Sequence, residues 1–116
     1  MTMNLSPIAA AFVRSVNDQD PAAFAALFAD DATVDDAGRT IQGLAAIKQW
    51  GDHDIFAARV TFEVTGIANQ NGETVVTAKV DGNFDRTGLP DPLIMRQHIG
   101  TRDGKIVSLA CRLADG

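Results

Sequence analysis

The chain has no tyrosine, one cysteine and no cluster of basic residues, and each shortage narrows what it can be. A single cysteine, Cys111, excludes an intrachain disulfide and makes a reducing compartment the simpler expectation. Lying in an apolar run, Cys111 reads as a small buried strand residue rather than a reactive thiol. Ten basic residues stand against fifteen acidic ones, for a net charge of −5. A nucleic-acid backbone or an anionic membrane surface is repelled by that balance, so neither is expected as a partner. No stretch approaches the roughly 18 apolar residues that span a bilayer, and the first residues lack the basic and long apolar regions of a secretion signal. A cytoplasmic location is therefore expected. The chain also lacks a glycine-rich phosphate loop, a serine-nucleophile motif and a CxxC pair. Nucleotide cofactors and covalent acyl chemistry drop out, and no cofactor or metal is expected.

What is present suits one globular domain spanning residues 1–116, with 46% hydrophobic and 22% charged residues. Ser6-Pro7 and Asp20-Pro21 are both a capping side chain followed by a proline at the first helical position, so two helices are expected near the start. Ile8, Phe12, Val13 and Val16 form the apolar stripe of the first, and Phe24, Leu27 and Phe28 that of the second. Thr33-Val34 and Arg39 to Ile41 flank the turn Asp35-Asp36-Ala37-Gly38 as a small hairpin. Leu44 to Trp50 reads as a third helix stopped by Gly51. Beyond His53 the period changes to that of strands. Val60, Phe62 and Val64 alternate with polar residues, Asn69 to Gly72 is a turn, and Thr74 to Phe84 is a strand with a bend or bulge at Gly82. Asp85 to Pro92 is a loop, and Leu93 to Thr101 with Lys105 to Leu113 forms a final hairpin. Helices followed by antiparallel strands predict an α+β fold with the helices on one face of the sheet. In the last strand Ile106 and Ala110 alternate with Val107, Leu109 and Leu113, so both faces look apolar. Coverage of the second face by another copy, a homodimer, is the expectation.

The segment Phe28-Ala29-Asp30-Asp31-Ala32-Thr33-Val34-Asp35-Asp36, the Ile41-Gln42-Gly43 before the third helix, and Asp103-Gly104-Lys105-Ile106 resemble the NTF2-like superfamily, in particular its ketosteroid-isomerase and SnoaL-like branch. That resemblance implies a cone of three N-terminal helices packed on a curved, mostly antiparallel sheet around a pocket. It also implies that the general-base aspartate of ketosteroid isomerase falls on Asp36 and its oxyanion-hole tyrosine on Phe12. The family's second oxyanion donor, a protonated aspartate, falls near Arg96. Ketosteroid isomerase pairs one base aspartate with one neutral acid donor, and only the base has a counterpart here.

Asp36 at the rim of an apolar pocket suits a general base acting on a C–H beside a carbonyl, although Asp-Asp-Ala-Gly is also good turn chemistry on its own account. Arg96 and His98 are spaced to share one strand face and could hold an oxyanion there, or could lie at a sheet edge or interface. Phe12, Trp50 and Phe56 are expected to touch a ligand, while His53 between Asp52 and Asp54 is a loop residue or a weak metal cluster. The reading is a pocket protein for a small hydrophobic ligand, as a cofactor-independent isomerase or cyclase acting on a carbonyl compound. The alternative is a non-catalytic ligand-binding or dimerisation module.

Overall fold

Ser6 and Asp20 both cap helices in the computed structural model, which describes residues 6–70, 72–85 and 87–114. The Ser6 hydroxyl accepts from the Ala9 N–H at 3.2 Å and opens α1 (Pro7–Asn17). Asp20 accepts from the Ala23 N–H at 3.1 Å and opens α2 (Pro21–Ala26). Each proline occupies a position whose N–H would have no helical partner. Asn17 then fastens the end of α1 to the sheet, donating to the Phe62 carbonyl at 3.0 Å and accepting from its N–H at 2.7 Å.

The chain continues through β1 (Phe28–Asp36), β2 (Arg39–Gln42), α3 (Leu44–Trp50), a π-helical turn (Gly51–Phe56), β3 (Thr61–Gln70), β4 (Glu73–Asp81), β5 (Ile94–Arg102) and β6 (Lys105–Leu113). The strands form one mixed sheet in the order β2-β1-β6-β5-β4-β3, with β1 and β6 parallel and the other neighbours antiparallel. Three helices packed on this six-stranded sheet make an α+β fold, as the sequence predicts. No helix among the described residues is long and apolar enough to cross a membrane.

Three local expectations change. Phe28 belongs to β1 rather than to the stripe of α2, because it pairs with Ile106 and the Ile106 N–H donates to the Leu27 carbonyl at 2.8 Å. A buried ring such as Phe28 suits either element, so periodicity alone does not distinguish them. Gly51 does not stop α3. Its backbone is right-handed helical (φ −61°, ψ −47°), and the chain widens into the π-helical turn.

The third change concerns the final hairpin, whose register slips so that Gly100 faces Ser108 while Thr101 faces Ile106. This bulge returns Ile106 to the face that also buries Leu109 and Cys111. Ala110 and Arg112 alternate onto the other face, which is therefore mixed rather than apolar. The pattern that calls for a second copy of the chain is absent from the hairpin as folded.

Behind the sheet the aromatic rings form the core. Phe24 lies 5.0 Å from Phe28, 5.5 Å from Phe56, 6.0 Å from Phe12 and 6.2 Å from Trp50, measured between ring centroids.

Candidate functional site

Asp35 and Asp36 are equivalent as turn formers in the sequence, and the structure separates their roles. Ala37 (φ 51°) and Gly38 (φ 92°) make the two-residue connection between β1 and β2, with Asp36 directly opposite Arg39. Positive φ at both positions suits the tight turn that matches strand twist. Asp35 shapes this turn, accepting from the Gly38 N–H at 2.9 Å and pairing with Arg112 at 3.2 Å. Asp36, on the opposite face of the strand, lines a cavity.

The cavity has a volume of about 480 Å³ and lies between α1, the π-helical turn and the concave face of the sheet. That size is within the usual range for small-molecule sites. Phe12, Trp50, Phe62, Val80 and Leu93 supply apolar walls, and Phe84 and Leu89 from the β4–β5 loop complete the rim. Asp36 keeps 27% of its side chain exposed. Its Oδ2 accepts from the Trp50 indole N–H at 3.0 Å and faces the Arg39 guanidinium at 3.4 Å. Its Oδ1 makes no hydrogen bond to another described residue. One carboxylate oxygen is thus held while the other has no such partner among the described residues.

Arg39 also bridges to Asp54 in a short contact, and His53 Nδ1 lies 2.9 Å from Asp54 Oδ1. Partial burial pushes the Asp54 carboxyl up, but hydrogen bonds from His53 and Arg39 outweigh it and hold the group below the usual carboxylate range. This network joins the turn after β1 to the π-helical turn at the cavity mouth. His53 and Asp54 both line the cavity, although its aspartate neighbours alone mark His53 only as a loop residue. No cluster of three or more metal-ligating side chains occurs among the described residues.

Phe12 and Trp50 share the cavity with Asp36. Phe56 does not line it, and instead packs edge-on against Phe24. Arg96 and His98 also lie elsewhere, so of the two placements the sequence leaves open the cavity-facing one does not hold. Met95 and Gln97 line the cavity, so strand alternation sends Arg96 and His98 to the opposite face. There Arg96 is exposed between Thr77 and Arg112, and His98 Nδ1 lies 3.7 Å from Glu73. Their spacing does put the two on one face; only the bulge and the strand order decide which face it is.

Gln97 escapes sequence reasoning because a glutamine in a strand carries no signal of its own. It is only 3% exposed and lines the cavity. Cys111, directly between Asp36 and Gln97 in the sheet, is buried as expected, and burial together with the nearby Asp36 charge pushes its thiol pKa up. It is a neutral thiol at physiological pH.

A helix-backed, curved mixed sheet with a cavity on its concave side defines a protein of NTF2-like architecture. Residues 9–109 match the SnoaL-like domain, and the chain belongs to that family. Among solved structures it is similar to a candidate polyketide cyclase from Sinorhizobium meliloti, at 28% identity and a TM-score of 0.82 over 93% of this chain and 95% of that one. It is also similar to a Catenulispora acidiphila protein with a ketosteroid-isomerase-like fold, in complex with trimethylamine, at 24% identity and a TM-score of 0.76 over 93% and 85% of the two chains. TerC co-crystallised with polyporic acid shares the fold at 17% identity and a TM-score of 0.75, over 92% of this chain and 84% of that one. A search of curated proteins finds no match.

Proposed function

We propose that the cavity binds a small apolar carbonyl compound and that Asp36 accepts a proton from the carbon beside its carbonyl group. The observation that carries this reading is the placement of a carboxylate, with Oδ1 unengaged, in an otherwise mostly apolar cavity. Proton abstraction requires a base within reach of the C–H and walls that fix the substrate's orientation. Trp50 and Arg39 hold Oδ2 and so aim Oδ1. The similarity to a candidate polyketide cyclase supports a ring-forming or isomerising reaction on such a compound.

A non-catalytic binding module is the second reading, favoured by Phe12. That ring lines the cavity, the family resemblance sets it at the position of the isomerases' hydroxyl donor, and the chain has no tyrosine. The test is hydrogen–deuterium exchange at the activated CH₂ of 2-tetralone and related β,γ-unsaturated ketones, followed by NMR in D₂O. The catalytic reading predicts exchange above buffer background that falls at least about 10²-fold in Asp36→Asn, the scale typical of losing a general base. Saturable binding of the ketones with no enzyme-dependent exchange makes the binding module the correct account.

A further inference from the structure

Gln97 lines the cavity together with Asp36, His53 and Asp54, and its position relative to Asp36 is fixed by the sheet. Asp36 on β1 pairs with Cys111 on β6, and Cys111 pairs with Gln97 on β5. All three line the cavity in one row. Two strand spacings put the backbones of Asp36 and Gln97 about 10 Å apart, with both side chains on the concave face. A neutral thiol lies between them.

The glutamine is unusual for its setting. It is 3% exposed, yet its carboxamide makes no hydrogen bond to another described residue. Its amide atoms are nonetheless not sealed in, since the fully buried side-chain atom without a partner among the described residues is Oε1 of Gln19; the Gln97 carboxamide is open to the cavity and to whatever occupies it. Most of the cavity wall is apolar, with Phe62, Val80 and Met95 among its residues. A carboxamide is also two-sided, with Nε2 donating and Oε1 accepting. A lone ketone oxygen satisfies only the donor. Both halves are satisfied together by a ligand edge carrying an acceptor beside an O–H or N–H.

We infer that Gln97 is a specificity-determining residue which reads a paired acceptor–donor edge, so that the ligand is a lactam-like or hydroxycarbonyl compound with an apolar body rather than a simple ketone. This rests on the proposed ligand-binding role of the cavity and narrows its chemical class. It assigns Gln97 no proton-transfer step; Asp36 keeps that role.

A matched pair of probes tests the assignment. 3,4-Dihydro-2-quinolone and 2-tetralone share size and shape and differ in one ring position, N–H against CH₂. Calorimetric titration of the wild type is expected to show the lactam bound about tenfold more tightly, the equivalent of one further neutral hydrogen bond. Gln97→Met keeps the length and removes both polar atoms. In that variant the preference should vanish while 2-tetralone still binds saturably, which also shows that the cavity has folded. Equal binding of the two probes by the wild type overturns the assignment, as does a lactam preference that survives in Gln97→Met. In either case Asp36-dependent exchange of 2-tetralone, if present, leaves the proposed function standing. Binding of neither probe by the wild type overturns the cavity reading itself, and the role of Gln97 with it.

Discussion

Adjacent aspartates with different partners show how a single residue step divides structure from function in this chain. Asp35 pins the turn and pairs with Arg112, so its replacement acts on the hairpin. Asp36 is held by Trp50 and Arg39 against the cavity, so its replacement acts on whatever the cavity does. Cys111 yields a prediction about pH at the same scale. Its folded pKa is raised above the unfolded value by burial, so the unfolded chain releases the thiol proton first as pH climbs. The stability this group contributes is intact below the unfolded pKa of about 8.5 and declines as pH rises above it. With no tyrosine in the chain, Cys111 titrates apart from the phenolic groups that usually share this range. Urea denaturation at pH 7 and pH 10 should show a loss of about 2 kcal/mol in the wild type attributable to this thiol, absent in Cys111→Ala. A wild type and variant with the same pH dependence would refute it.

The π-helical turn is the element on which the site depends, since it carries His53 and Asp54 to the cavity mouth and follows directly from Trp50. Such widened turns recur at functional sites. Its first residue, Gly51, is there for packing rather than for helix termination. A Cβ at Gly51 would lie 2.8 Å from the Phe24 ring, and that ring is enclosed by four other aromatics and cannot withdraw. Gly51→Ala is therefore expected to destabilise by about 1–3 kcal/mol, despite the better helix propensity of alanine. Thermal unfolding measures this, and an unchanged or higher melting temperature would show that the aromatic cluster yields. The same close approach explains why the sequence misleads at Gly51: a helix stop and a packing contact both select glycine, and only the tertiary structure distinguishes them.

For the molecule as a whole, element order and helix starts are legible because local chemistry dictates them. Ser6, Asp20 and the two prolines specify caps that any fold would use, and the alternation from Val60 onward specifies strands. What cannot be read locally is set by contacts distant in sequence. The parallel pairing of β1 with β6 draws Phe28 into a strand, and the bulge in the final hairpin decides which of its side chains face the core. The candidate site divides in the same way. Asp36 and Phe12 follow from the family resemblance, Trp50 from the pattern of aromatic residues, and all three share the cavity, whereas Arg96 and His98 point to the other face and Gln97 between them points in. The concave face of the sheet is what brings Asp36, Gln97 and Trp50 together from separate strands and a helix.

That cavity is the centre of the account, and Trp50 reports on it directly. It is the only tryptophan in the chain, it lines the cavity, and its indole N–H bonds the Asp36 carboxylate. An occupant must change the surroundings of the ring. Titration with 2-decalone, a transparent bicyclic ketone, should produce a saturable change in tryptophan emission. Val80→Phe, which extends a buried wall residue into the same space, should abolish it while native circular dichroism persists. Emission that stays constant to the solubility limit of the ketone, or a saturable change undiminished in Val80→Phe, would contradict the claim that this cavity is a binding site.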